Sequence, residues 1–244
     1  MAGNDFRRFL HQELQSRMAE RAELLRLPAG PIVQQGWMDA ATAVCLAKRY
    51  PGRIIHEVSA EALVRGRKKP SWWSYGAARR VRSVATDKNR IDLPDDTASL
   101  VWSALWLQDV PHRMSLFQEW QRLLKTGGAL FFCCFGPDTA KDLRAVGAVA
   151  GYPDMHDIGD ELVRAGFADP VMEMERLTIE YADPLRLLDD WRQFDPTLAL
   201  SVSPAIDRLT LELLYGHAWK AAPVAGLGES RIRVEDIGGR KARP

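Results

Sequence analysis

From residue 31 onward, short apolar runs alternate with stretches in which apolar residues recur every three or four positions. That alternation predicts a mostly parallel sheet covered by helices. Residues 31–33 read as a first strand and 39–49 as a first helix. A second strand over 53–58 is followed by a helix through 60–69, then by strands over 80–86 and 99–105. A helix over 111–124 places Leu116, Trp120, Leu123 and Leu124 on one face, with Gly127 and Gly128 as its stop. The run ALFFCCF over 129–135 is apolar throughout, as a strand at the centre of a sheet must be when helices cover both of its faces. Pro137 can begin the next helix, Thr139 and Asp142 have capping-box spacing, and Gly151 ends it. Asp157 is placed to cap a short helix that Gly166 closes. Two alternating segments, 170–182 and 208–219, supply late strands. The expected fold is α/β: one doubly wound, Rossmann-like sheet of seven strands.

Ahead of this pattern, Leu10, Leu14, Met18, Ala22 and Leu25 recur at helical spacing among charged residues. This predicts an amphipathic helix packed on the domain. The expected organisation is an N-terminal helical segment over 1–30, the sheet domain over 31–222, and a disordered tail over 223–244, where Gly, Arg and Glu dominate without periodicity. The N-terminal segment contains no unbroken apolar stretch, so neither a secretory signal nor a membrane anchor is expected, and the cytoplasm is the expected location.

Composition narrows the partners less than it narrows the class. At 244 residues with 46% hydrophobic and 27% charged, the chain is in the ordinary globular range. A formal net charge of +1 gives no bulk preference for a polyanion, so electrostatic partners must be sought locally. Three cysteines, Cys45, Cys133 and Cys134, do not complete a zinc site. Buried reduced thiols are the expectation for them; the neighbours Cys133 and Cys134 also leave a vicinal redox pair open.

Several stretches carry a resemblance. RLLKTGGALFF leads into FGPDTAKDLR, then come MHDIGDELVRAGFADPVM and finally YGHAWK. In these the chain resembles the class I S-adenosylmethionine-dependent methyltransferases, and most specifically the malonyl-ACP O-methyltransferases that begin biotin synthesis. The resemblance spans about residues 31 to 220 and is strongest between 84 and 182. It implies transfer of a sulfonium methyl group to the free carboxylate of a malonyl thioester on acyl carrier protein. A carboxylate is already an anionic nucleophile, so in-line positioning supplies most of what catalysis needs, and neither a triad nor a metal is expected.

Matched to the family pattern, Gly36 takes the place of the first loop glycine, Met38 the second and Ala40 the third, and Gln34 stands where a strand-end acid is usual. Glu57 matches the acid that holds the ribose hydroxyls, and Asp87 the acid on the adenine side. The cofactor-binding residues implied are thus Gly36, Glu57 and Asp87, joined by a loop in which the glycines are largely lost. A long side chain at position 38 would occupy space the cofactor needs or force an unfavourable turn. No Tyr precedes Tyr50 to fold over the cofactor, and the stretch 193–214 is short for the usual helical insertion. Two classes follow: a methyltransferase that still holds the cofactor through Glu57 and Asp87, or a catalytically inactive pseudo-enzyme that keeps the fold and acts as a binding or partner subunit.

Other candidates have plain structural readings. His156 and Asp157 could form an acid–base pair but read more simply as a helix start, and His217 reads as a structural strand residue. Asp138 and Thr139 are expected to cap the helix after the fifth strand. Between Arg65 and Arg82 the chain carries Arg65, Arg67, Lys68, Lys69, Arg79, Arg80 and Arg82 with no acid, interleaved with Trp72, Trp73 and Tyr75. This patch is the expected dock for an acidic acyl carrier protein. Single-stranded nucleic acid and a solvated helix end are the other readings of the same composition, and the resemblance favours the carrier protein.

Overall fold

The computed structural model describes residues 5–36, 40–58, 81–84, 86–87, 90–144, 151–195 and 206–222. Seven strands form one sheet: β1 (Ile32–Gly36), β2 (Ile55–Val58), β3 (Val81–Val84), β4 (Ala98–Ala104), β5 (Leu124–Phe135), β6 (Phe167–Glu180) and β7 (Arg208–Lys220). They lie in the order β3-β2-β1-β4-β5-β7-β6, and only β7 runs antiparallel to its neighbours. The chain winds outward from β1 to β3, returns to β4 and winds the other way. Strand order therefore reverses between β1 and β4, the point beyond whose carboxyl ends open α/β sheets place their ligand crevice.

Helices α1 (Asp5–Arg21), α2 (Ala40–Arg49), α3 (Arg113–Leu123), α4 (Met155–Arg164) and α5 (Pro184–Trp191) accompany the sheet. Leu10, Leu14 and Met18 of α1 and Leu46 of α2 are buried in one core layer with Ile32, Trp102, Phe131 and Cys133. Phe117 and Trp120 of α3 and Ile158 and Leu162 of α4 are buried in the other, with Val33, Val101, Phe132 and Cys134. Alternation along β5 thus sends Cys133 and Cys134 into opposite layers, which rules out a disulfide between them. Both are buried free thiols, and burial pushes Cys133 up to about 12 and Cys134 well above the ordinary thiol range.

The amphipathic α1 is held by more than its apolar stripe. Trp102 Nε1 donates to Gln15 Oε1 at 2.7 Å inside the core, Arg17 and Arg21 both reach Glu175 on β6, and Arg21 also lies 4.1 Å over the Tyr215 ring.

Three boundaries differ from the pattern-based reading. Helix α3 spans Arg113–Leu123, and Leu124 is already extended, paired with Ala98 as the first residue of β5. The glycines 127 and 128 consequently lie inside the strand, with Gly127 at φ +75. No capping box forms after β5, where the chain makes turns and a 3-10 segment at Lys141–Leu143. Strand β7 outruns β5 here, because its pairing with β5 stops at Leu213 while its pairing with β6 continues to Arg208. The loop takes the vacated edge: Thr139 Oγ1 donates to Glu212 O at 2.9 Å and accepts from Glu212 N at 3.1 Å, and Asp142 Oδ2 accepts from Thr210 N at 2.7 Å. Unpaired backbone groups on a buried edge outcompete a helix cap for the same side chains. At the next helix the cap is Asp154, whose Oδ1 accepts from His156 N at 2.8 Å; Asp157 lies inside the first turn. Gly166 does close α4, at φ +93. The expected helix over 60–69, the aromatic loop after it and the tail from Pro223 lie outside the described residues.

Candidate functional site

The crevice between β1 and β4 is built by backbone geometry that few sequences could supply. Gly36 ends β1 at φ +118, and a Cβ there would lie 2.6 Å from Ala104 O on the neighbouring strand. Only glycine allows this approach. Across from it, Leu105 follows β4 at φ +50, a left-handed conformation costly for a branched side chain. Leu105 N donates to Cys133 O at 2.9 Å and its side chain is buried, which holds that conformation in place. The chain then turns into a short 3-10 segment, Leu107–Asp109, at the rim of the crevice.

Parallel register sets Gln34 of β1 beside Glu57 of β2, on the same face of the sheet and about 4.8 Å apart between strands. Glu57 is half-buried, and desolvation raises its carboxyl above the usual carboxylate range. Gln34 is only 2% exposed, and among the described residues its Oε1 has no hydrogen-bond donor. Ser103 Oγ and Gln108 Oε1, on β4 and on the turn beyond it, are likewise buried without partners. A buried polar atom left unpaired costs about 1–3 kcal/mol. By register Gln34 shares a face with Trp102, and Ser103 shares the opposite face with Phe132, so the two oxygens enter different layers; beside Glu57 it is Gln34 that offers an acceptor a ligand's N–H or O–H group would satisfy. S-adenosylmethionine, with an ammonium, ribose hydroxyls and an adenine amine, offers donors of that kind, so the side chains present fit it. Ser103 and Gln108 escaped the reading of the sequence; the signal was a polar residue inside each of two apolar runs, VWSAL and LQDV.

Gly36 and Glu57 therefore end adjacent strands at the crevice. Asp87 lies three residues beyond β3 at the same end, in a two-residue antiparallel ladder with Arg90, and only its backbone is described. Trp37, Met38 and Asp39 lie outside the described residues, and of Ala40 only its place as the first residue of α2 is described. The patch residues Arg65, Arg67, Lys68, Lys69, Arg79 and Arg80 also lie outside them, while Arg82 is placed by its backbone on β3.

The remaining candidates stand elsewhere. His156 is exposed, its Nδ1 2.8 Å from Asp154 Oδ1. His217 stacks on Phe131 at 5.9 Å and meets Trp219 edge-on at 5.0 Å, and burial lowers its imidazole pKa. Asp138 does not cap a helix: its backbone N donates to Glu212 Oε2 at 3.0 Å while its carboxylate pairs with Lys141 and Arg176. Among the described residues no cluster of His, Cys, Asp or Glu is arranged to hold a metal ion, and no helix is long and apolar enough to cross a membrane.

Comparison with known proteins adds three findings. Residues 40–132 match a family model described as a methyltransferase domain. The malonyl-acyl-carrier-protein O-methyltransferase of Gallionella capsiferriformans is 34% identical over 257 residues, covering 91% of this chain and 87% of the relative. That of Halorhodospira halophila is 30% identical, covering 94% and 85%. Among solved structures, the YcgJ protein of Bacillus subtilis superposes with a TM-score of 0.60 at 12% identity, over 87% of this chain and 100% of that one. Phosphoethanolamine N-methyltransferase 2 of Haemonchus contortus, solved with S-adenosyl-L-methionine, gives 0.53 at 16% identity over 86% of this chain and 53% of its own. At such identities the two structures establish the likeness of fold.

Proposed function

The chain belongs to the malonyl-acyl-carrier-protein O-methyltransferase family, and on that premise we propose that it methylates the free carboxylate of a malonyl thioester held on acyl carrier protein, in the cytoplasm, with S-adenosylmethionine as cofactor. The observation that carries this reading lies at the strand reversal, where Gln34 offers a buried oxygen without a donor among the described residues beside the half-buried Glu57, on the same face of the sheet.

When bound, the cofactor supplies a methyl group made electrophilic by a cationic sulfur. Glu57 would accept from the ribose hydroxyls, Asp87 would serve the adenine side, and Gly36 would let the backbone come close where a side chain would intervene. Gln34 stands in for the usual acid: it still accepts a hydrogen bond but carries no charge, so it contributes less toward a cationic ligand than a carboxylate would. The acceptor's carboxylate oxygen would form its bond to the methyl carbon with its own lone pair as the sulfur–methyl bond breaks and S-adenosylhomocysteine leaves, so no proton has to move. The protein's work is to orient the two partners and keep water out. The basic patch from Arg65 to Arg82 is the surface for the acidic carrier.

The test is to incubate the purified protein with methyl-labelled S-adenosylmethionine and malonyl-acyl carrier protein and to weigh the carrier by mass spectrometry. A mass gain of one methylene on the malonyl group, removable by mild alkaline hydrolysis, is expected. A carrier that binds yet remains unmethylated, beside a relative that methylates it in parallel, would leave the chain as a partner subunit without transfer activity.

A further inference from the structure

A second cavity lies at the other end of the same rim, beyond the carboxyl end of β6. It measures about 400 Å3, opens broadly to solvent, and is bordered by the start of α1, the segment after β6 and α5. Its walls are Phe6, Phe9, Ile179 and Tyr181, and Phe9 is 52% exposed at the mouth. Phe6 and Tyr181 stand 6.5 Å apart with ring planes at 60°, so they present an angled pair of faces. Three carboxylates line the cavity, Glu180, Asp183 and Asp190, against one guanidinium, Arg186. Asp183 is committed to the helix, accepting from Leu185 N at 2.9 Å.

Asp190 is the unusual member. Its side chain is 9% exposed, yet among the described residues its one cationic partner is Arg186 Nε at 3.7 Å, on a side chain 68% exposed. Gln193 Nε2 donates at a long 3.4 Å, and the Tyr181 hydroxyl interacts with the same carboxylate and offsets part of the effect of burial. Burial raises the Asp190 carboxyl above the usual carboxylate range, as expected where desolvation is incompletely compensated. A buried carboxylate in that condition gains from a cation that comes closer and sheds its own water. Aromatic faces beside it add cation–π attraction, which grows when the cation is desolvated.

We propose that this cavity is a binding site for an organic monocation, a guanidinium or alkylammonium group on an apolar stem. Asp190 provides the counter-charge, Phe6, Phe9 and Tyr181 provide the walls, and Arg186 is a loosely held internal competitor at the mouth. Nothing in this inference depends on methyl transfer.

The probes are butylguanidinium and butylurea, which share shape and stem and differ in charge, titrated by calorimetry. The unmodified protein should bind butylguanidinium roughly tenfold or more tightly than butylurea. Asp190→Asn should abolish that preference, and Arg186→Ala should tighten butylguanidinium by removing the competitor. Far-ultraviolet circular dichroism and a cooperative thermal transition, read in parallel, should stay unchanged in both variants and report that the fold is intact. Equal affinity for the two probes would overturn the proposal, as would an Arg186→Ala protein that binds the cation no better or less well. An Asp190→Asn protein that keeps its preference would assign the cavity to another ligand.

Discussion

At the residue scale the crevice rests on a few atoms whose environments give opposite predictions for stability and binding. Gly36 has no alternative: alanine would combine a positive φ with a 2.6 Å contact to Ala104 O, and Gly36→Ala should cost about 1–3 kcal/mol by urea unfolding. Glu57 behaves in the opposite sense. Because burial raises its carboxyl in the folded state, its contribution is full below the ordinary carboxylate range and is lost as pH climbs through the folded value. Glu57→Gln should therefore raise the melting temperature at pH 8, leave it nearly unchanged at pH 4, and weaken S-adenosylmethionine binding by about tenfold. Calorimetry at the two pH values checks the first part and titration the second; a variant that loses stability at pH 8 would contradict the assignment. On the proposed role, Glu57 gives up stability in exchange for ligand binding.

At the scale of elements, α1 is a full structural layer. A buried side-chain hydrogen bond ties it to the sheet, from Trp102 to Gln15 at 2.7 Å. Trp102→Phe keeps the ring but strands the Gln15 oxygen, and a loss of about 1–2 kcal/mol in chemical denaturation is expected. The strands and helices that carry long apolar patterns were legible in the sequence. ALFFCCF reads as a central strand because covered strands must be apolar on both faces, and the stripe from Leu10 to Ala22 reads as a packed helix for the same reason. What could not be read were local contests decided by distant partners. Thr139 and Asp142 have the spacing of a cap, but the open edge of β7, some seventy residues later in the chain, claims both side chains. Asp154 and Asp157 are both plausible caps by composition; backbone geometry at Asp154 selects it. At the crevice, Gly36, Gln34 and Glu57 could be named from sequence, whereas Ser103 and Gln108 became visible only once burial showed them unpaired.

At the scale of the whole molecule, a net charge of +1 hides a strongly basic stretch of sequence from Arg65 to Arg82, while the cavity beside the edge strand β6 counts three carboxylates among its lining residues. Replacing Arg79, Arg80 and Arg82 with Glu should weaken binding of an acidic carrier protein at least tenfold at low salt, with the difference shrinking as ionic strength rises. Surface plasmon resonance at two salt concentrations checks this, and an unchanged affinity would remove the patch from the interface. The central claim is that the crevice between β1 and β4 still holds its cofactor despite Met38 and Ala40 in the loop. A thermal-shift titration with S-adenosylmethionine, beside a Met38→Gly, Ala40→Gly double variant, tests it most directly. Ligand at about a hundred times its dissociation constant adds about 2.7 kcal/mol to the native state. For a domain of this size the midpoint should then rise by roughly 5 to 10 °C in the unmodified protein. No rise at millimolar ligand, with a rise in the double variant, would contradict the claim and show that this loop has closed the site.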